Sequence, residues 1–575
     1  MSGPAGGGEG QGPGAVEPAA VEPAAVEPAA VEPAAGEPPA NGPATGEGGV
    51  SSSPPPDSPP DPPPSPRGLC PPLLAEQIVY EDDDLLVVER PAGVSSGGPD
   101  ADDLVARVSA FLEAREGRAP APVLAPWREG PEGASLVPLA RSEPMRQALL
   151  KARRAWQPPR DGDRSGEPGP GPRPGNRLPG GQDGSREGAS GRRGPSQEGA
   201  SGRRGPSQGG SKAPPPELGP GPLAAPHPRT GRPLRLRAAS ARREPPGSVE
   251  GWRARLARAG LARYGLDRGG ETTTFRLANE AADGLPRGAA VDLYGPYAVV
   301  HVYDAAGQAP YLGPLAEALE ALGARGVYAK HHPRSASTLA DPTRDDVAPA
   351  RPLRGEAAPD PLWVREAGLV LLCRLGAGLA TGLYLDQRDN RARVRAAAAG
   401  RSVLNLFAYT GAFSVAAAAG GARRTVTVDV SRPALAWAAE NLRANGFGDE
   451  RTHRLVRDDA LVFLRRAAVR GDRFDLLVVD PPSFATTKAS RFVAEHDLGS
   501  LLASALAVAA PGALVLACTN HRATGRARFR HVLDDAAARA GRRLERVRDL
   551  DPPRDFPAAP GEEPRLKALW ALVGA

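Results

Sequence analysis

The hydrophobic and polar positions of this 575-residue chain follow a regular pattern from Ser248 to its end. After Pro361, short apolar runs such as Val403–Phe407, Thr425–Val428 and Phe474–Val479 are each followed by a turn and then by a stretch with helical spacing. Strand, turn and helix repeated in this order predict a parallel sheet covered by helices on both faces. We therefore expect residues 362–575 to form an α/β domain with a doubly wound, mostly parallel sheet.

A second pattern precedes it, over residues 248–361. Trp252–Tyr264 is predicted to be an amphipathic basic helix, and short strands separated by turns follow at Thr272–Leu277, Ala289–Asp292 and Ala298–Tyr303. One helix followed by several strands favours a small α+β domain. We call residues 248–361 the central domain.

Two low-complexity stretches surround a short patterned island. Residues 1–71 contain four copies of Val-Glu-Pro-Ala-Ala, and residues 157–247 contain a repeated Gly-Ala-Ser-Gly-Arg-Arg-Gly-Pro-Ser-Gln. Frequent proline and the lack of large apolar residues predict a disordered tail and a disordered linker. Between them, residues 72–156 carry a strand-like run at 84–89 and a helical stretch at 102–113, which indicates a partial α+β island.

Composition narrows the functional classes. The 69 glycines and 66 prolines lie mainly in the two low-complexity stretches, so the rest can still build ordinary cores. The net charge of +5 suits a nucleic-acid partner, although an arginine-rich composition has the same effect. Three scattered cysteines exclude a disulfide framework and a zinc site. Because there is neither a signal peptide nor a membrane-length apolar stretch, we expect a cytoplasmic protein without a membrane partner or a metal.

Acidic residues stand at the ends of successive predicted strands. Asp429 closes the second strand of the α/β domain, eighteen residues after the glycine turn at Gly411. An acid at this spacing is where nucleotide-binding folds hold a ribose diol. Asp458 and Asp459 follow the next strand, in a position to accept from an adenine amine. These positions predict a nucleoside-binding edge.

The following strand ends in Asp480-Pro481-Pro482-Ser483-Phe484. An acid, two prolines and an aromatic ring at a strand end form a rigid lip that can hold a flipped, planar base. An ordinary proline-rich strand exit with a solvated acid is the simpler alternative for each motif alone. The order of the motifs around one sheet edge favours function.

Four segments carry a family resemblance: GLATGLYLDQR (378–388), NLFAYTG (405–411), TVTVDVSRPALAWAAEN (425–441) and DPPSF (480–484). They resemble the large-subunit ribosomal RNA methyltransferase superfamily, in its cytosine-C5 and guanine-N7 branches. RLANE (276–280) and VDLYG (291–295) extend the resemblance through the central domain. The resemblance implies a Rossmann-like class I methyltransferase fold, S-adenosylmethionine as cofactor and ribosomal RNA as partner.

The resemblance also implies roles for individual residues. Asp386, Gln387 and Arg388 would lie against the methionine end of the cofactor, Asp429 would hold its ribose, and Asp458 and Asp459 its adenine. The first glycine turn would add cofactor contacts from Asn405, Phe407, Tyr409, Thr410 and Gly411. Asp480, with Pro481, Pro482 and Phe484, would face both the cofactor and the target base. One departure is Ala380, because the family usually has a lysine there.

The choice of base depends on one cysteine. Cytosine C5 is a weak nucleophile, so enzymes that methylate it first add a thiolate to C6. Cys518, after the predicted strand Ala513–Ala517, is the candidate because it opens onto the edge of Asp480. A structural cysteine is the equally weighted alternative, and Thr519–Arg522 resembles the guanine-N7 branch, which needs no thiol.

The island has a resemblance of its own. Residues 78–93 resemble the opening of a large-subunit type of pseudouridine synthase, and residues 134–141 resemble the strand that follows its catalytic His-Arg-Leu-Asp. That tetrapeptide corresponds to Trp127–Gly130, so a glycine stands at the position of the nucleophilic aspartate. Glycine supplies no carboxylate. We therefore interpret residues 72–156 as a degenerate, non-catalytic segment.

The sequence thus predicts a methyltransferase that forms 5-methylcytosine in large-subunit (23S) ribosomal RNA, with guanine N7 as the alternative product. A non-catalytic RNA-binding protein, a small-molecule methyltransferase and an active pseudouridine synthase are the competing classes. The first class is disfavoured because Asp429, Asp459 and Asp480 are all present. The additional RNA-type modules argue against the small-molecule enzyme, and Gly130 argues against the pseudouridine synthase. The oligomeric state is left open.

Overall fold

A computed structural model describes residues 60–64, 66, 69–91, 93–97, 102–128, 135–156, 223–237, 247–303, 309–332, 345–486, 491–559 and 561–574. The chain divides into two units, Met1–Pro71 together with Glu244–Ala575, and Pro72–Arg243. The smaller unit is thus inserted into the sequence of the larger one. Most of the predicted tail, most of the predicted linker and Gly130 lie outside the described residues.

The inserted unit contains an antiparallel sheet in the order β1 (Ile78–Glu81), β2 (Leu85–Arg90), β3 (Ser135–Ala140). Helix α1 (Leu104–Glu116) begins where Asp103 accepts a hydrogen bond from the Ala106 amide, and α2 (Glu143–Lys151) follows β3. Strand β2 is buried along its whole length, because apolar residues pack against both of its faces.

A hairpin of β4 (Leu223–Pro226) and β5 (Pro233–Leu236) belongs to the same unit. Its Ala225, Leu234 and Leu236 share a core with Leu85 and Trp127. The prediction of a disordered linker is therefore wrong for residues 223–237. Two four-residue strands bounded by proline are too short for a clear periodic signal, and their burial comes from a partner that is distant in sequence.

The central domain is an α+β layer. Its sheet has the order β10-β9-β8-β7-β6, and helices α3 and α4 cover one face. The opposite face packs on the α/β domain that follows. The predicted helix and strands are confirmed to within a few residues. The elements are α3 (Val249–Arg263), β6 (Thr274–Asn279), β7 (Ala289–Tyr294), β8 (Tyr297–Val302), α4 (Leu312–Ala321), β9 (Gly326–His331) and β10 (Arg354–Gly355).

Residues before the inserted unit pack on this domain. Leu69 is 0% exposed and Cys70 is buried, both in the core beneath α3. Gly260 permits the approach, since a Cβ there would lie 1.9 Å from the carbonyl oxygen of Leu69. The prediction of disorder is therefore wrong for the described residues between 60 and 71. A single apolar cluster in a proline-rich stretch gave no periodic signal.

A hairpin of β11 (Leu362–Glu366) and β12 (Leu369–Cys373) opens the α/β domain. The elements that follow alternate as predicted. They are α5 (Arg388–Ala397), β13 (Ser402–Leu406), α6 (Ala412–Ala419), β14 (Arg424–Asp429), α7 (Arg432–Ala444), β15 (His453–Arg457), α8 (Ala460–Arg470), β16 (Phe474–Val479), β17 (Phe484–Thr486), β18 (Arg491–Val493), α9 (Ala494–Ala507), β19 (Ala509–Thr519), α10 (Arg526–Arg539), β20 (Leu544–Leu550) and β21 (Lys567–Val573).

Seven strands form one sheet in the order β15-β14-β13-β16-β19-β21-β20. The first five are parallel, and β21 is antiparallel to both of its neighbours. Apolar cores on both faces of the sheet confirm the predicted doubly wound architecture. Chain order reverses between β13 and β16, and a crevice at the carboxyl ends of such strands is the usual ligand site. No helix in the described ranges is long and apolar enough to cross a membrane.

The burial of Leu69 gives a first prediction. Leu69→Ala leaves a cavity beneath α3 and is expected to lower the free energy of unfolding by about 2–4 kcal/mol. Urea unfolding of the full chain measures the change, and Leu353→Ala, at a position 47% exposed, is the matched control. Equal stability of the two variants would contradict the packing of this segment.

Candidate active site

A cavity of 300 Å³ opens at the carboxyl ends of β13, β14, β15 and β16. Most of the predicted site residues lie in its wall, although they come from segments almost a hundred residues apart. The predicted residues that line it are Asp386, Gln387, Phe407, Tyr409, Thr410, Asp429, Asp458, Asp459, Asp480, Pro481 and Pro482.

The turn between β13 and α6 has an unusual backbone. Phe407 and Tyr409 have φ values of 54° and 50°, a region that non-glycine residues rarely adopt. Such outliers persist where surrounding structure holds them, often at ligand sites. Gly411 also has a positive φ, and a Cβ there would lie 2.8 Å from the Cβ of Ala438. Gly411 is not among the lining residues, so its glycine is required by conformation and by packing on α7.

Asp429 is fixed at the end of β14 by two backbone amides. Tyr409 N donates to Oδ2 at 2.8 Å, and Ser431 N donates to Oδ1 at 2.9 Å. The carboxylate lines the cavity and keeps lone pairs for a further donor. This arrangement suits a ribose diol.

The neighbouring wall combines acids with apolar rings. Asp459 caps α8 by accepting from the amides of Leu461 and Val462, and Asp458 pairs with Arg466 at 2.9 Å. Phe407 and Phe492 contact each other with ring centroids 5.7 Å apart, and both line the cavity. An apolar slot beside acceptor oxygens and a fixed carboxylate fits an adenosine.

Asp480, at the end of β16, is held by the turn that precedes α5. Gln387 Nε2 donates to its Oδ2 at 2.8 Å, while Gln387 Oε1 accepts from Asn390 at 2.6 Å. Burial and the nearby carboxyl of Asp386 raise the pKa of Asp480 to about 7. Burial also raises the pKa of Asp386. Two acids with raised pKa values at one end of the cavity mark the end at which reaction chemistry is expected.

Two predicted cofactor residues point elsewhere. The Arg388 guanidinium donates to the buried carboxylate of Asp555, at 2.8 Å from Nη1. Asn405 Nδ2 donates to Ser414 Oγ at 3.1 Å, inside the core. Neither residue lines the cavity, and both have partners within the protein, so the predicted contacts with the cofactor stay predictions without support from this geometry. Their position in segments that resemble the family did not distinguish a structural role from contact with a ligand.

A lysine of the central domain contacts the segment around Ala380. Lys330, at 0% exposure on β9, donates from Nζ to the carbonyl oxygen of Gly378. Burial lowers its pKa to about 8. Tyr294 and Thr381 add a hydroxyl contact of 2.8 Å between the same two parts. The central domain therefore holds the segment that lacks the family lysine.

Cys518 is 0% exposed and packs with Val403, Leu476, Val478 and Leu516 on one face of the sheet. Its sulfur lies 3.9 Å from Gln387 Oε1, and burial together with Asp480 raises the pKa of the thiol well above its ordinary value. Cys518 does stand at the edge of Asp480, but it is not among the residues that line the cavity.

Several lining residues were not predicted. Tyr384 lies within the GLYLDQR motif and Asn520 within Thr519–Arg522, so both could have been found there, whereas Phe492 and Leu566 follow no motif. The side chain of Phe484, the predicted stacking partner of the base, lies outside the described residues, and its backbone begins β17.

The comparisons with known proteins agree with this geometry. Residues 293–571 match a family model described as S-adenosylmethionine-dependent methyltransferase. Ribosomal RNA large subunit methyltransferase I of Cronobacter sakazakii is 34% identical over 53% of this chain and 73% of that protein. A ribosomal RNA large subunit methyltransferase of Deinococcus radiodurans is 33% identical over 56% of this chain and 78% of that protein.

A solved structure shows the same similarity. SMU.776, a protein described as a methyltransferase and crystallised with S-adenosylhomocysteine, is 26% identical to this chain with a TM-score of 0.50. The similarity covers 59% of this chain and 85% of that one.

Asp429 gives the second prediction. Asp429→Asn keeps the shape of the side chain but removes the charge, so the Kd for S-adenosylmethionine is expected to rise roughly ten- to a hundredfold, for a loss of about 1.5–3 kcal/mol. Calorimetric titration measures it, with Asp535→Asn, exposed on α10, as the control. Equal affinity of Asp429→Asn and wild type would remove Asp429 from the ribose site.

Asp480 gives the third prediction. Because its folded pKa of about 7 exceeds the ordinary value, its stabilising contribution is complete at about pH 4 and is lost as the pH rises through 7. Asp480→Asn mimics the neutral acid, so it is expected to match wild type at pH 4 and to exceed its free energy of unfolding at pH 8 by about 2–4 kcal/mol. Urea unfolding at both pH values is the measurement, and a difference independent of pH would contradict the raised pKa.

Proposed function

The chain belongs to the S-adenosylmethionine-dependent methyltransferases that include the ribosomal RNA large-subunit enzymes, and on that premise we propose that it methylates a base of large-subunit (23S) ribosomal RNA. S-adenosylmethionine is its cofactor and supplies the methyl group when bound. The proposal places the protein in the cytoplasm, with ribosomal RNA as its partner.

Three features that meet at one sheet edge support this proposal. A ribose-type carboxylate at Asp429, an apolar slot at Phe407 and Phe492, and the Asp480-Pro481-Pro482 lip line the same cavity. The first two fit the nucleoside of the cofactor, and the lip is left for the acceptor base. Proline rings fix this lip, so a planar base can be placed without a large reorganisation.

For the product, we propose 7-methylguanine in preference to 5-methylcytosine. Attack on cytosine C6 needs a thiolate that reaches the base. Cys518 is fully buried, its thiol pKa is raised, and it lines no wall of the cavity. These three observations favour a base atom that is a nucleophile without activation.

Guanine N7 has that property, because its lone pair forms the new N–C bond while the S–C bond of the cofactor breaks, and no proton is lost. The product ring carries a positive charge. Ionised Asp480, with Asp386 close by, would stabilise that charge at the end of the cavity where it develops. Gln387 would orient the Asp480 carboxylate through its 2.8 Å hydrogen bond.

For the inserted unit, we propose no catalysis. Gly130 still stands where a pseudouridine synthase needs its aspartate, and the remaining contribution would be to position RNA. Pseudouridine formed by the purified chain would overturn this interpretation.

The fourth prediction tests the function and the product together. Incubating the full chain with labelled S-adenosylmethionine and unmodified 23S ribosomal RNA is expected to yield 7-methylguanine in a nucleoside digest. Cys518→Ala should retain most of the wild-type rate and form no adduct on RNA that contains 5-fluorocytosine, since the thiol only packs. Asp480→Ala is the inactive control.

Other outcomes separate the parts of the proposal. 5-Methylcytosine as the product, with loss of turnover in Cys518→Ala and a covalent adduct in the wild type, would reverse the choice of base. A chain that binds the cofactor but labels no ribosomal RNA would refute the substrate class.

A further inference from the structure

A second cavity, of 610 Å³, lies between the central domain and the α/β domain of the larger unit. Five residues line both cavities, so the second one opens directly beside the first. These are Leu383, Tyr384, Asp386, Tyr409 and Leu566. The nucleoside of the cofactor and the lip for the acceptor base account for the first cavity only.

A chain of polar groups from the central sheet lines this second cavity. The Arg276 guanidinium holds Asp292 with two hydrogen bonds, of 2.7 and 3.0 Å. His301 Nε2 lies 3.0 Å from Asp292 Oδ2, and His301 Nδ1 lies 2.9 Å from His332 Nε2. Asp292 and His301 are buried, so the chain runs from the interior of the sheet to the cavity wall.

The chain sets the tautomer of His332. The negative charge of Asp292, 3.0 Å from Nε2 of His301, favours the tautomer with its proton on that nitrogen, so Nδ1 of the neutral ring is an acceptor. His332 then donates from Nε2 and presents its own Nδ1 as an acceptor. Burial lowers the pKa of His332 to about 2, which keeps the ring neutral. No described residue is hydrogen-bonded to this Nδ1.

The ring of His332 is also fixed in place. Tyr303 stacks on it with centroids 4.4 Å apart and an interplanar angle of 22°. Arg565 lies over the Tyr303 ring at 4.2 Å. An acceptor on a rigid, stacked ring is preorganised for a planar partner.

The charges of the wall select the kind of partner. Four arginines and five carboxylates line the cavity, and Arg276, Arg287 and Arg565 each pair with one of those acids. A wall with balanced charge does not favour a polyanion, so it fits an uncharged ring better than a run of phosphates. Arg522 lines the cavity without a carboxylate partner among the described residues, and remains available to one phosphate.

We propose that this cavity binds the base of a nucleotide adjacent to the methylated one, and that Nδ1 of His332 accepts a hydrogen bond from its imino N–H. This rests on the proposed RNA substrate. Guanine and uracil carry an imino N–H on the Watson–Crick edge, whereas adenine and cytosine present a lone pair there. Single-stranded bases are commonly recognised in this way, by stacking and by bonds to that edge.

The test measures the Kd of the full chain for 23S ribosomal RNA fragments that differ at the nucleotides on either side of the methylated base. Wild type is expected to bind guanine or uracil at one of these positions about tenfold more tightly than adenine or cytosine. His332→Phe keeps a planar ring against Tyr303 but removes the acceptor, so it should lose this discrimination and retain wild-type affinity for S-adenosylmethionine. His531→Phe, exposed on α10, is the control.

A histidine that only packs would alter stability without altering discrimination between bases, and that result would overturn the proposal. Should His332→Phe fail to fold, the wild-type series alone decides, because equal affinity for all four flanking bases is the contrary result.

Crosslinking of 4-thiouridine-containing RNA separates this proposal from the proposed methylation of ribosomal RNA. A crosslink at Tyr303 or His332 in a chain that methylates no ribosomal RNA would support the subsite and refute the proposed function, whereas crosslinks confined to other peptides would refute the subsite.

Discussion

The larger unit depends on one buried carboxylate. Asp555 is 0% exposed, and it accepts from the Arg388 guanidinium and from the backbone amide of Arg276, while its carbonyl oxygen accepts from Arg263. These donors come from α5, β6 and α3, so a single residue joins the α/β domain to the central domain. A charge without solvent is tolerated only when its hydrogen bonds are complete, and removing a partner leaves another charge uncompensated. The three elements are therefore held in one arrangement.

The residues bonded to Asp555, and their neighbours in sequence, also hold groups that line the two cavities. Arg276 bonds to Asp555 through its backbone and to Asp292 through its side chain, so it also supports the histidine chain. On the other side, Gln387 precedes Arg388 and holds Asp480. The acid expected to face the reaction and the groups expected to face a neighbouring base thus share one mechanical support. Such support keeps functional groups in fixed geometry, which is the main structural requirement when positioning supplies much of the rate.

Sequence reasoning succeeded where local pattern and strand-end chemistry were sufficient. The parallel sheet and the positions of Asp429 and Asp480 follow from apolar runs that end in an acid, because carboxyl ends of parallel strands meet at one edge.

Prediction from the sequence failed where a residue's partner is far away in the chain. No sequence pattern near Arg388 predicts its ion pair with Asp555. No pattern in the proline-rich stretch before the inserted unit predicts that α3 covers Leu69. Cys518 was placed correctly along its strand, but the burial of its side chain depends on which face of the sheet is covered. Asp292 lies in the VDLYG segment, but no motif joins it to His301 and His332, because their spacing follows from the register of β7, β8 and β9.

The insertion of one unit within the other has a consequence for synthesis. Leu69 leaves the ribosome before the whole of Pro72–Arg243, whereas its packing partners on α3 and β6 leave afterwards. At about 5–20 residues per second, synthesis of the inserted unit alone takes roughly ten seconds or more. During that interval the apolar side chain of Leu69 has none of its native neighbours. The order of translation therefore makes the smaller unit the first to mature, and the closing of the larger one a late event that joins two separated stretches of the polypeptide.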